Sequence, residues 1–531
     1  MTRVLISGGL VVDGESTAPV RADVLVEGER IAAISADLSA TGDDLTVIDA
    51  SGRLVMPGFI DAHAHAEGAV FDPEVQLALL RQGITTVIGG QDGVSYAPGD
   101  GRYATEYFAA INGPHPTYRG SSVADLLRTY DGEIPLGVAY VIPAGTVRHE
   151  VMGSAQRPAT ADERARMAEL VRAGIADGAV GLSTGLDYVP GLFADAEEIA
   201  ALCAPLSDAQ LPYVTHMRGG YEDNAEFGVD EVARIGLTAG VPVHISHFHT
   251  SADEAWRLMS WLAERGVSAT FDAYPYTRGC SILGMTMLPP EWNVAPVDDT
   301  VAALQDPAER ERLRREWFPR VALNPSLGPE WPELITVAHT VAAEWAWAHG
   351  KTLAEIAEAR ATDAIDAALD VLAASRLNAN AIMAVRDQRP VEDLGRLIAH
   401  PAHLGGSDGI FIGSHPHPRA RGTFATYLAT YVREREFLTW AEAAHHLSTG
   451  PADRFHLGDR GRLRPGSIAD IAIIDPEHVR DTATYAEPRG LAVGIDDVLV
   501  AGRPVLANGQ LTGARPGGGI RADARHLPPL S

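Results

Sequence analysis

Pro57-Gly58-Phe59-Ile60-Asp61-Ala62-His63-Ala64-His65 is the stretch whose reading decides the fold. In an extended strand alternate residues face the same way, so His63 and His65 project to one side with Cα atoms about 6.7 Å apart. Two imidazoles placed in this way can reach one metal ion. The run leading in, Leu54-Val55-Met56-Pro57-Gly58-Phe59-Ile60, is apolar and reads as a buried strand that delivers the pair at its C-terminal end. In a barrel of parallel strands that end is where active sites are built. A His-x-His pair alone is equally well explained by surface histidines in a turn, so the remaining ligands have to follow in barrel order.

Downstream, apolar strand-like runs alternate with amphipathic helical stretches, the pattern of a parallel α/β fold. After the His-x-His strand come Gly83–Ile88, Pro135–Ile142, Ala179–Ser183, Tyr213–His216, Val241–His247, Ala269–Tyr274 and His403–Asp408, eight strands in all. Eight closes a (β/α)8 TIM barrel, expected over residues 57–456. Helices are expected between strands, for instance Ala161 to Asp177 and Glu254 to Arg265. Residues 281–332 are irregular in period and rich in Pro, which suggests an inserted subdomain beside the barrel mouth, in the position of a lid. Residues 1–56 and 457–531 read as short strands and turns, and the simplest arrangement joins both ends into one small β-sandwich domain. The Gly-, Pro- and Arg-rich tail after Gly513 is expected to lie extended on the surface.

Composition narrows the function classes. With 43 basic against 70 acidic residues the net charge is −27, which argues against a polyanion partner such as nucleic acid. Only Cys203 and Cys280 are present, far apart, so neither a disulfide framework nor a cysteine-based zinc cluster can be assembled. The opening Met1-Thr2-Arg3-Val4-Leu5-Ile6 is a short strand without a signal-peptide run, and no segment approaches the roughly 18 apolar residues that cross a bilayer. The expectation is a cytoplasmic protein acting on a small molecule, with no membrane or nucleic-acid partner and with room for a homo-oligomer.

The strand ends carry the chemistry. His63 and His65 end the first strand, His216 the fifth, His247 the sixth and Asp408 the eighth. Imidazoles with a carboxylate suit a borderline divalent ion such as Zn²⁺, with a position left for water. Asp408, in Gly405-Gly406-Ser407-Asp408-Gly409, has two compatible roles. It can be a weak ligand, or a catalytic carboxylate that takes a proton from metal-bound water and passes it to a leaving amine. A plain turn aspartate before Gly409 is the alternative.

The arrangement resembles the amidohydrolase superfamily and, within it, the N-acyl-D-amino-acid deacylase (D-aminoacylase) family. The resemblance is carried by Met56–His65, Gly181–Tyr188, Thr215-His216-Met217-Arg218, Ile245-Ser246-His247, Tyr274-Pro275-Tyr276, Ser407-Asp408-Gly409, His417-Pro418-Arg419 with Gly422-Thr423-Phe424, and Thr512–Gly517. It implies metal-dependent hydrolysis of an N-acyl amide on a D-amino acid, using one or two zinc or other divalent ions. Arg419 would match the family's arginine that clamps the substrate α-carboxylate, and Tyr274 and Tyr188 would match tyrosines at the substrate. A guanidinium can hold a carboxylate bidentately and so fix which face of the substrate meets the metal.

Three departures from the family pattern stand out. The single lysine, Lys351, follows Gly350 in a helical region, so a carboxylated lysine bridging two metals is excluded. The family's Gly-Asn-Cys-Gly is here Gly90-Gln91-Asp92-Gly93, which puts Asp92 where a thiolate ligand would be. A carboxylate is harder than a thiolate and can bridge two ions through its two oxygens, so Asp92 is expected to be a metal ligand. The family's Ser-His-x-Lys is Ser246-His247-Phe248-His249, and Cys280-Ser281 stands where a Ser-Thr pair is usual. His249 shares the strand parity of His247 and is expected to face the substrate. Two other readings remain: hydrolysis of a cyclic amide, lactone or dipeptide by the same nucleophile, and a catalytically silent barrel acting as a binding protein.

Overall fold

The computed structural model describes residues 3–39 and 44–523. Its centre is a ring of eight parallel strands: β1 (Phe59–Asp61, resuming at Ala64–His65), β2 (Ile84–Gly89), β3 (Gly137–Tyr140, resuming at Ile142–Pro143), β4 (Leu182–Gly185), β5 (Tyr213–His216), β6 (Val243–Ile245), β7 (Ala269–Asp272) and β8 (His403–Leu404, resuming at Gly409–Ile410). Each pairs with the next in register, for example Thr184 with Thr215 and Ile245 with Phe271. The ring shuts where β8 pairs with β1, Gly409 opposite Ala64 and Ile410 opposite His65. At the same seam the Ala62 N–H donates to the Gly405 carbonyl at 2.9 Å and the Asp408 N–H to the His63 carbonyl at 2.8 Å. The expected eight strands are therefore present and closed.

Amphipathic helices cover the outside. Helix α1 (Ala161–Ala176), between β3 and β4, begins at a Thr160–Glu163 capping box and buries Met167, Ala168, Val171 and Ile175 against the strands. Helix α2 (Ala252–Glu264), between β6 and β7, starts two residues earlier than its periodicity suggests, because Ser251 caps it through the Glu254 N–H. Among the described residues no helix is long and apolar enough to cross a membrane.

Both chain ends form one nine-stranded sheet outside the barrel, with a small core that includes Val4, Ile6, Val24, Ile471 and Leu499. The two ends meet where Leu54–Pro57 pairs antiparallel with Ile471–Ile474. The single strand expected over 54–60 is thus two: Leu54–Pro57 lies in the outer sheet and Phe59–Asp61 in the barrel. Gly58 makes the change of sheet, its N–H donating to the Asp470 carbonyl. A Cβ there would stand 2.3 Å from Thr85, so only glycine lets the chain pass this close to β2.

The insert between β7 and β8 is larger than the expected 281–332. Its antiparallel sheet takes strands Arg278–Ile282, Ile335–Thr340, Lys351–Thr352 and Ala379–Ala384, and a separate apolar core, including Leu288, Phe318, Trp331 and Leu372, fills it. The second half escaped because Leu353–Arg360 and Ala364–Ala374 are ordinary helices, whereas the insert was recognised only by its irregular half. The tail also departs from expectation, although its residues 524–531 lie outside the described ones. Gly518–Gly519 adds a parallel strand against Gly137–Val138 at the foot of β3, and Ile520 and Ala522 are buried. A Cβ on Gly517 would lie 2.0 Å from the Leu136 carbonyl oxygen. Gly517→Ala is therefore expected to destabilise the fold by about 1–3 kcal/mol, read as a lower midpoint in thermal unfolding, whereas a tail resting loosely on the surface would leave the midpoint unchanged.

Candidate metal centre

Seven polar residues converge at the C-terminal end of the ring. His63 and His65 come from β1, His216 from the end of β5, His247 from just beyond β6 and Asp408 from the break in β8. Asp92 enters from the tight turn Gln91–Gly93 after β2, and Arg419 from the first residue of the helix Arg419–Thr426. All seven are buried.

Three of them hold unusual backbones: φ is +56° at Asp92, +35° at His247 and +47° at Asp408. A non-glycine residue with positive φ costs free energy, and such outliers persist where the surroundings over-determine them, often at functional sites. Here the surroundings are explicit. Glu67 Oε1 accepts from the Gly90 N–H and the Ser95 hydroxyl, both at 2.7 Å, and pins both ends of the Asp92 turn. Asp61 accepts from the His63 N–H at 3.2 Å and the Ser407 N–H at 2.8 Å, tying β1 to β8 beneath the histidine pair.

The two carboxylates face the imidazoles at separations that are not hydrogen bonds. Asp92 Oδ1 stands 3.6 Å from His63 Nε2 and 3.7 Å from His247 Nε2. Its Oδ2 stands 3.6 Å from His65 Nε2 and 3.7 Å from His216 Nδ1. Asp408 Oδ1 lies 3.7 Å from His63 Nε2 and 3.4 Å from His65 Nε2. Two donors bound tetrahedrally to one zinc ion at ordinary bond lengths are about 3.4 Å apart. His63 Nε2, Asp92 Oδ1 and His216 Nδ1 have no hydrogen-bond partner although buried. Buried polar atoms are normally satisfied, so three orphaned atoms among donors with the spacings of a coordination shell fit a divalent cation. The donors fall into two overlapping groups, His63, His65, Asp92 and Asp408, and Asp92, His216 and His247, with Asp92 shared.

The ring nitrogens that face away are held by oxygen acceptors. His63 Nδ1 lies 3.3 Å from Asp272 Oδ2, His65 Nδ1 3.1 Å from Asn112 Oδ1 and His216 Nε2 3.2 Å from Asp187 Oδ2. This arrangement fixes the tautomer and orientation of each metal-facing imidazole. Electrostatics point the same way. Burial pulls the imidazoles toward neutrality, but nearby carboxylates outweigh it, Asp408 and Asp92 at His65 and Asp187 and Asp92 at His216, and hold both up at about 10. Burial raises Asp92 and Asp408, yet the histidines around the first and Arg419 beside the second carry both below the usual carboxylate range. The cluster is thus a set of anions in want of positive charge, which protons or a metal can supply.

The Amidohydrolase family pattern matches residues 46–506. This chain belongs to the amidohydrolase family. A D-aminoacylase of Alcaligenes xylosoxydans xylosoxydans is 33% identical, covering 97% of this chain and 96% of the relative. An N-acyl-D-glutamate deacylase of the same organism is 32% identical, covering 98% and 97%. A solved N-acyl-D-glutamate deacylase from Bordetella bronchiseptica, complexed with zinc and a phosphonate mimic of the tetrahedral intermediate, superposes with a TM-score of 0.82 at 30% identity over 98% of this chain and 99% of that one.

In this amidohydrolase three of the four substrate-side residues expected from the sequence, Tyr188, His249 and Tyr274, line one cavity of about 250 Å³ between the barrel mouth and the insert together with Asp92 and Asp408, whereas Arg419 is not part of its lining. Arg419 is fully buried beneath it. Its Nη2 pairs with Asp408 Oδ2 at 2.8 Å and its guanidinium stacks 4.5 Å from the centre of the Tyr274 ring, while Nε and Nη1 have no partner. The Tyr188 hydroxyl shares a hydrogen bond of 2.8 Å with the Ser281 hydroxyl of the insert. His249 Nδ1 accepts from Arg389 at 3.1 Å, and burial with the Arg389 charge pushes its imidazole well below the usual range, so it is neutral and its Nε2–H is the donor.

Sequence reading missed Asp187, Asn112, Asp272 and Arg389. Asp272 ends a barrel strand, the position that marks functional residues, and could have been found; Asn112 lies on a short irregular helix with no signal. Two substitutions test the centre. Asp92→Ala is expected to lose bound metal, and Asp187→Asn to weaken metal affinity about tenfold, both measured by elemental analysis and chelator competition; unchanged retention in both variants would contradict this geometry.

Proposed function

We propose that this protein is a metal-dependent hydrolase that cleaves the N-acyl amide of an N-acyl-D-amino acid, giving a carboxylate and the free D-amino acid. The observation that carries this reading is the juxtaposition of unsatisfied metal-facing donors with a buried guanidinium that has two unused N–H edges. His63, His65, Asp92, His216, His247 and Asp408 would hold one or two zinc or similar divalent ions, with Asp92 the shared ligand. Such an ion, when bound, acidifies water and polarises the acyl carbonyl.

The rest is done by the chain. Arg419 Nη2 keeps Asp408 in place, and its partnerless Nε and Nη1 are left for the substrate α-carboxylate once the side chains that cover them move aside, so one planar group would orient both the substrate and the proton carrier. Asp408 is ionised before reaction and accepts the proton of the attacking water as the C–O bond forms. It then gives that proton to the nitrogen as the C–N bond breaks, and the amine leaves neutral or protonated by solvent. Tyr188, Tyr274 and the neutral His249 line the cavity and contact the substrate, His249 donating through Nε2–H. Holding the α-carboxylate at Arg419 and the acyl group over the donor cluster would leave the two enantiomers differing only by exchange of the side chain and the α-hydrogen, so the choice between them falls to whichever of those two positions opens into the cavity.

Asp408→Asn is expected to lower kcat by about 10²–10⁴-fold with metal content and fold retained. Near wild-type turnover in that variant would remove Asp408 from its role. Chelation is expected to abolish hydrolysis, and Zn²⁺ to restore it. A panel of N-acetyl-D-amino acids, their L-isomers and cyclic imides distinguishes this reading from hydrolysis of a cyclic amide, with the D-acyl compounds expected to be consumed.

A further inference from the structure

Tyr188 reaches the catalytic cavity from the loop that follows β4, not from a strand. Its ring stands edge-on to that of His216, with centres 5.0 Å apart, and at a right angle to that of Phe108 at 5.1 Å. A loop residue is only as well placed as the contacts that hold its backbone. On one side the neighbour Asp187 is fixed, its Oδ2 3.2 Å from His216 Nε2 and its Oδ1 accepting from the Gly219 N–H at 2.9 Å. On the other side Val189 and Pro190 line a second cavity, of about 380 Å³, between the barrel and the insert. Packed side chains do not hold the loop on the face that borders this space.

Two phenols do so instead. Tyr103 and Tyr107 are four residues apart on the helix Arg102–Tyr107 and so share one of its faces. The Tyr103 hydroxyl donates to the Val189 carbonyl at 2.6 Å, and the Val189 N–H donates to the Tyr107 hydroxyl at 3.2 Å. Both backbone groups of one residue are thus taken by side chains 86 and 82 positions earlier in the chain. The Val189 N–H lies in the peptide plane that begins at the Tyr188 Cα, so holding it sets the direction in which Tyr188 leaves the loop. The phenol rings are themselves held: they stack with centres 5.6 Å apart and planes within 13°, and Tyr103 stacks on His149 at 3.9 Å. Burial raises both phenols above their ordinary range, so the hydroxyls keep their protons.

We propose that Tyr103 and Tyr107 are positioning residues for the hydrolysis, their hydroxyls holding the Val189 backbone and thereby setting where Tyr188 stands beside the metal centre. This rests on the hydrolase reading and on the contact of Tyr188 with the substrate. Neither phenol is part of the lining of the catalytic cavity, so their influence on the reaction passes through the loop. Removing one hydroxyl leaves the ring and the stack but frees the loop to shift toward the second cavity, and misplacing a group at a reacting centre by an ångström costs up to about a hundredfold in rate.

The test is a double-mutant cycle on the metal-loaded protein, with the best substrate of the N-acetyl-D-amino-acid panel. Tyr103→Phe and Tyr107→Phe are each expected to lower kcat/KM about tenfold, with metal affinity in chelator competition unchanged. In the Tyr188→Phe background, itself lowered at least tenfold, the same two substitutions are expected to cost less than about twofold, because the hydroxyl they place is gone. A full tenfold loss in that background would overturn the proposal, and so would wild-type kcat/KM in both single variants, whatever their unfolding midpoints. Weakened metal binding in Tyr103→Phe and Tyr107→Phe would overturn it too, by moving their action to Asp187 and His216. Absence of turnover in the unsubstituted protein would instead reject the hydrolase reading.

Discussion

Two buried carboxylates set among four imidazoles at 3.4–3.7 Å are the constraint from which the rest of this structure follows. Removing ionised groups from water costs several kcal/mol each unless opposite charge and hydrogen bonds compensate. The protein answers on every side except one. Asp408 has Arg419, Asp272 has His63 and His244, and the outward nitrogens of three imidazoles have oxygen partners. The side left without a partner is the one on which the two donor groups meet at Asp92, which is the place for a cation.

The scaffold exists to keep those donors in place. A ring closed by β8 on β1 gives ligands from four strands and a turn one rigid frame, and the strained backbones of Asp92, His247 and Asp408 turn their side chains toward its axis. Outside that frame, the sheet built from both chain ends, entered through Gly58, and the strand at Gly518–Gly519 brace the foot of the barrel. The insert serves the other end: its first strand brings the Ser281 hydroxyl to Tyr188 at the cavity wall. The donor cluster is thereby held by the barrel, and one wall of the cavity above it by the insert.

This division explains a feature of Asp92. One carboxylate presents Oδ1 to His63 and His247 and Oδ2 to His65 and His216, a reach that a single sulfur atom could match only by moving closer to all four. With only oxygen and nitrogen donors around it, the centre suits borderline and hard divalent ions.

By itself the sequence determined the architecture and the donor list. Alternation of apolar runs with amphipathic stretches announced the eight strands, and histidines or an aspartate at strand ends announced the rim, because burial and strand periodicity are local properties written residue by residue. Only the tertiary structure decided what those donors share and what supports them. That Asp92 stands between two pairs of imidazoles, that Asp272, Asn112 and Asp187 back them, and that Gly58 splits an apparently continuous strand are facts about residues tens to hundreds of positions apart. No local pattern encodes such distances; they follow from closure of the ring and from where the insert comes to rest on it.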